Sequence, residues 1–399
     1  MTNRHTLACV CTIAILSIPA LAQSQLDPIR VLVQRLELEK YKSTIKGLTQ
    51  FGDRRQGTAR NRAAIDWIEA QLKSYGCTNT ERLTYQFGAE PPHRVLSASA
   101  IHAAQGEEPE IGAGGTRLRG IVKPTGVNFD PLAQPDARIR ALDAEPAVAG
   151  ARQEVWCTKI GAIHPGEMYI VSAHMDGIGF GEAANDNGSG TALVMELARI
   201  FASPDVRTDR SIRFILWNNE ETGLNGAHAY VEQRAKLQGK EDPAGSGRYP
   251  EPKWLGMIQH DMMLFDHGMP RADGSLSPNQ RPEADVNIEF QADSKAAGAS
   301  HDLAFAFQAA NEAYATDYPA NIGSHMTNTD SHEFQDMVAS ISLRENERGA
   351  QIGAGWDPQW HQPTDLYATY GDKDFRLGLN AAQTTLSAVA RLAGATLRK

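Results

Sequence analysis

Apolar residues recur at two different periods along the chain, and the changes of period mark out its elements. Between Arg60 and Gly76, Ile65, Ile68 and Leu72 stand three and four apart, which predicts an amphipathic helix that Gly76 would end. From Glu154 onward the pattern alternates. Met168 to Ala173 is a short apolar run suited to a buried strand, Ser189 to Ala202 has helical period, and Ser211 to Trp217 is strand-like again. Gly223 to Leu237 predicts a helix, Trp254 to Gln259 a strand, and His301 to Ala315 and Ala381 to Leu397 two later helices. Strands alternating with helices of this length imply crossover units, hence an α/β fold with a mainly parallel sheet covered on both faces.

Two stretches break the pattern. Phe87 to Gly150 holds Pro91-Pro92, a Gly-Ala-Gly-Gly run at 112 to 115 and no sustained period, so it is expected to be a loop-rich insertion or subdomain. Met1 to Ala22 carries one positive charge at Arg4, an apolar run from Leu7 to Leu21 and a terminal Ala20-Leu21-Ala22 triplet. That order is expected of a secretory signal cleaved before Gln23, with the catalytic domain spanning 23 to 399; the apolar run is short of the ~20 residues a membrane span needs. An exported, periplasmic or secreted protein with no membrane contact after cleavage is the expectation.

Composition narrows the function. The 399 residues carry 39 basic and 48 acidic side chains, a net charge of −9, which argues against nucleic acid as a partner. Cys9 and Cys11 fall in the leading segment, leaving Cys77 and Cys157 either to pair or to stand as separate buried thiols.

Ligands of open α/β sheets gather at the carboxyl ends of the strands. The residues that follow the three predicted strands are His174-Met175-Asp176, Asn218-Asn219-Glu220-Glu221 and His260-Asp261. Between the first two, Ala184-Asn185-Asp186-Asn187-Gly188-Ser189-Gly190 places an Asp just before a helix start. Taken singly, a histidine after a strand or a Glu pair is usually structural or solvated. Together, His174, Asp186, Glu221, Asp261 and one more histidine form the mixed imidazole and carboxylate set that suits zinc, with Asp186 able to bridge two ions. Glu220, beside a ligand, is the natural general base.

The segments His174-Met175-Asp176, Ala184 to Gly190, Asn219-Glu220-Glu221-Thr222-Gly223 and Trp360-His361-Gln362-Pro363-Thr364-Asp365 resemble, in order, the motifs of the family 28 zinc metallopeptidases, which include bacterial leucyl-type aminopeptidases and plasma glutamate carboxypeptidase relatives. The resemblance implies a three-layer zinc-exopeptidase fold with a mixed, mainly parallel central sheet flanked by helices. It also implies two Zn²⁺ per chain and a peptide substrate. His174 and Asp261 would hold one zinc, Glu221 and His361 the other, and Asp186 would bridge them. Asp176 would orient His174, and Glu220 would be the catalytic base. An aminopeptidase is the expected activity, with a carboxypeptidase or dipeptidase of the same family as alternatives. One departure is Ser331, in Thr329-Asp330-Ser331-His332-Glu333-Phe334, where the family commonly has His. His325 and His332 rival His361 as the last ligand. Three other readings stand beside this one: a metallopeptidase with a lid domain, a serine hydrolase, against which the missing Gly-X-Ser-X-Gly elbow speaks, and a non-catalytic binding module on the same fold.

Overall fold

The computed structural model describes residues 27–88, 111–112, 116–117, 127–128, 130–266, 286–325, 329–345 and 357–398. The expected export signal and residues 89–110 of the expected insertion, with most of 113–126, lie outside the described residues.

Among the described residues, eight strands form one sheet: β1 (Glu81–Phe87), β2 (Gly150–Lys159), β3 (His164–His174), β4 (Arg210–Trp217), β5 (Lys253–His260), β6 (Val286–Glu289), β7 (Ala320–Gly323) and β8 (Ser340–Arg344). Their order is β1-β2-β4-β3-β5-β8-β6-β7. The four strands at the centre, β4, β3, β5 and β8, run parallel. Antiparallel pairs occur at β1/β2, β2/β4 and β6/β8, while β7 is parallel to β6.

Alternation along the central strands divides the core in two. On β4, Ile212, Phe214 and Leu216 enter the larger cluster, while Ile215 and Trp217 enter an aromatic one with Trp156, Tyr230, Trp254 and Phe334. On β3, Val171 and Ala173 face the first cluster, Met168 and Ile170 the second. With both faces covered, the strands have to be apolar on both, as parallel strands usually are.

Among the described residues, eight helices surround the sheet: α1 (Pro28–Val33), α2 (Leu38–Thr49), α3 (Ala59–Ser74), α4 (Ala137–Asp143), α5 (Gly188–Phe201), α6 (Asn225–Arg234), α7 (Ala297–Tyr314) and α8 (Asp372–Leu392). The larger core cluster draws on α2, α3, α5, α7 and α8; α6 covers the aromatic one. Gly76, with φ +102°, follows the end of α3 as expected. The last helix differs from expectation, beginning at Asp372 and not at Ala381. Asp372 and Asp374 stabilise its positive N-terminal end, and Gly394 at φ +67° follows its C-terminal end.

Cys77 and Cys157 form a disulfide across 80 residues of sequence, joining the chain beyond α3 to β2. No helix among the described residues is long and apolar enough to cross a membrane.

Candidate metal centre

All of the expected site residues leave the sheet at its carboxyl-end edge or on the loops above it. His174 is the last residue of β3, Glu220 and Glu221 follow β4, and Asp261 follows β5. Asp186 precedes α5, whose N-cap Asn187 accepts a hydrogen bond from Gly190 N–H at 2.9 Å and donates through Nδ2 to the His260 carbonyl at 2.8 Å. The helix start that bears Asp186 is thereby pinned to the strand end that bears Asp261.

The side chains converge. His174, Asp186 and Glu221 place ligand atoms within 4.8 Å of one another, and so do His174, Glu220 and Asp261. Asp186 lies between the two imidazoles, with Oδ1 3.4 Å from His174 Nε2 and Oδ2 3.1 Å from His361 Nε2. Glu221 Oε2 is 2.8 Å from His361 Nε2, and Asp261 Oδ1 is 3.4 Å from His174 Nε2. The Nδ1 of His174 faces the Asp176 carbonyl at 3.0 Å, with that residue's carboxylate at 3.8 Å. The Asp176 carboxylate instead accepts the backbone N–H of Glu220 at 3.1 Å, tying the ends of β3 and β4 together. Of the rival histidines, His325 and His332 are both exposed, and His332 pairs with Gln335. Ser331 is buried, its carbonyl accepting from Ser340 Oγ at 2.9 Å.

Charge in this cluster is unbalanced. Burial disfavours a charged His361, but Glu221 and Asp186 more than reverse that and raise its pKa to about 10. His174 is likewise raised, against burial, by Glu220 and Asp261. Burial and the neighbouring Asp186 carboxylate lift Glu221 to about 7, and burial holds Glu220 well above the ordinary carboxyl range. Buried carboxylates that force protons onto nearby imidazoles form a site that favours cations. Glu221 Oε1, buried and without a hydrogen-bond partner, marks the same need.

Several supporting residues carried no recognisable signal in the sequence. Arg54, fully buried, donates to the carbonyls of Met175, Glu182 and Ala183 at 2.8 to 2.9 Å, clasping both ends of the loop that runs from His174 to Asp186. Asp365, at the end of the Trp360–Asp365 segment, accepts the backbone N–H groups of Asn185 and Asp186 at 2.8 and 3.0 Å. Gln134, from the described end of the 87–150 stretch, donates to the carbonyls of Phe180 and Pro363 at 2.7 and 2.9 Å, stitching the His174 loop to the His361 loop. Arg344 ends β8 beside Asp261, as a fourth strand end that the carboxyl-end rule would have exposed had so short a strand been legible.

Gly179, at φ +99°, packs directly on the His361 carbonyl, which a Cβ would overlap. Gly179→Ala is expected to displace His361 and weaken metal retention at least about tenfold, measured by dialysis against a zinc chelator. Retention like that of the unaltered protein would show that the loops adjust independently.

The family model described as Peptidase family M28 matches residues 158–380. Aminopeptidase YwaD of Bacillus subtilis (strain 168) is 44% identical over 75 residues, covering 19% of this chain and 16% of the relative. Carboxypeptidase Q of Xenopus laevis is 34% identical over 77 residues, again 19% and 16%. The match thus spans less than a fifth of either relative's length. Among solved structures, the aminopeptidase from Aneurinibacillus sp. strain AM-1 superposes with a TM-score of 0.57 at 19% identity, over 92% of this chain and 96% of that one, and so shares the fold.

Proposed function

Because the chain belongs to peptidase family M28, we propose that it is an exported zinc-dependent exopeptidase, an aminopeptidase working with two zinc ions and with Glu220 as general base. The observation that carries this reading is the position of Asp186, one carboxylate oxygen toward His174 and the other toward His361. The donor set fits zinc, being buried, mixed in imidazole and carboxylate, and short of positive charge. His174, Asp186 and Asp261 would hold one ion; Asp186, Glu221 and His361 would hold the other. Bound there, the pair would polarise a peptide carbonyl and acidify a water molecule.

The protein's own residues supply positioning and proton transfer. Glu220 takes a proton from the attacking water on its carboxylate and returns it to the leaving amine nitrogen, so the amide bond breaks with no net change at Glu220. Asp176 fixes the Glu220 backbone through the 3.1 Å hydrogen bond, which holds the base beside the ligands. The leading Met1 to Ala22 pattern and the Cys77–Cys157 disulfide support export.

The aminopeptidase relative is matched at higher identity than the carboxypeptidase relative, 44% against 34%, which favours a free amino terminus as the anchor of the substrate. The zinc-loaded protein should therefore cleave an unblocked peptide with an amidated C-terminus and fail on the same peptide with its amino group acetylated. The reverse pattern would make it a carboxypeptidase, and bound zinc with no turnover of any peptide would favour a binding module.

A further inference from the structure

Resting on the reading that the site holds two zinc ions, we propose that Arg344 is a positioning residue that makes the two metal positions unequal. It holds Asp261 by one carboxylate oxygen and weakens the position that Asp261 shares with His174. The register of the sheet sets this up. On the parallel strands β5 and β8, His260 pairs with Leu343, and Asp261 N–H donates to the Leu343 carbonyl at 3.1 Å. Asp261 and Arg344 therefore leave adjacent strand ends side by side. Arg344 Nη2 lies 2.6 Å from Asp261 Oδ2, with the two side chains 5% and 4% exposed.

The two oxygens of Asp261 are thus divided, Oδ2 to the guanidinium and Oδ1 toward His174 Nε2. A guanidinium keeps its charge at every working pH, so this division is permanent. In a buried site its charge repels a dication bound to the same carboxylate and draws electron density away from the remaining oxygen. The other position has no such opponent. Among the described residues no guanidinium or ammonium contacts Glu221 or His361, whose mutual contact is 2.8 Å. Arg344 also fixes which Asp261 oxygen faces the site, so its effect combines better orientation with weaker attraction, and the charge outweighs the orientation.

The test uses the full chain freed of metal, titrated with zinc against a chromophoric chelator. The unaltered protein is expected to bind two equivalents, the second at least about tenfold more weakly than the first. Asp261→Asn should remove the weaker step and leave the tighter one. Arg344→Gln, which keeps a donor but not the charge, should strengthen the weaker step at least about tenfold while the tighter one stays within about threefold. Arg344→Lys should restore the separation. Equal affinities in the unaltered protein, or an Arg344→Gln protein whose separation is unchanged or wider, would overturn the role of Arg344 while leaving the two-zinc reading intact. Failure of the unaltered protein to bind zinc at all would overturn that reading as well. If Arg344→Gln does not fold, Arg344→Met, which also removes the charge, decides: a narrowed separation supports the proposal and an unchanged one ends it.

Discussion

Replacing Glu220 with Gln is expected to leave both zinc equivalents in place and to lower kcat by about 10²- to 10⁴-fold. The amide is nearly the same shape as the carboxylate, and the backbone hydrogen bond from Glu220 N–H to Asp176 survives the change. What is lost is the ability to accept a proton from water. Because the proton transfer belongs to the transition state, the loss should fall on kcat, with KM little altered. Zinc content by atomic emission, with kcat and KM on an aminoacyl-nitroanilide, checks this. Near-normal turnover with full zinc would move the base elsewhere, and Asp330, buried with its Oδ2 on Gln259 Nε2, would be the first residue to examine.

Asp186→Ala should have a larger effect, because one carboxylate stands against both imidazoles. Losing it leaves His174 and Asp261 on one side and Glu221 and His361 on the other, with nothing to hold two cations close together. Both zinc equivalents are expected to fall below measurable retention in dialysed protein, and turnover to drop at least about 10³-fold, or about 4 kcal/mol. The Asn185 and Asp186 backbone is still held by Asp365, so the far-UV spectrum should be unchanged. A variant that kept one equivalent and a tenth of its activity would mean that Asp186 serves a single ion.

The sequence made the central sheet legible because long buried strands and the helices between them repeat their patterns over enough residues to be counted. The strand ends then pointed to His174, Glu220, Glu221 and Asp261, which the structure gathers together. It was silent where elements are short. The strands β6, β7 and β8 have four or five residues, too few for a period, so Arg344 escaped notice. α2 was missed although Tyr41, Ile45 and Leu48 stand at helical spacing and are fully buried. Supporting contacts such as those of Arg54 and Gln134 join segments 46 or more residues apart, where side chains meet backbone carbonyls that no local pattern encodes. The start of α8 was misplaced because its first two turns intersperse Phe375, Leu377 and Leu379 with charged residues and Gly378, which blurs the helical period there.

The disulfide has a consequence for how the chain withstands cleavage. Cys77 and Cys157 enclose β1 and the whole stretch that leads to β2, so a protease cut anywhere between them opens the backbone without releasing either fragment. A nicked molecule would run as one band on a non-reducing gel and as two after reduction. The amino-terminal fragment, with Arg54 at the loop between His174 and Asp186, would stay moored to the half that carries the ligands.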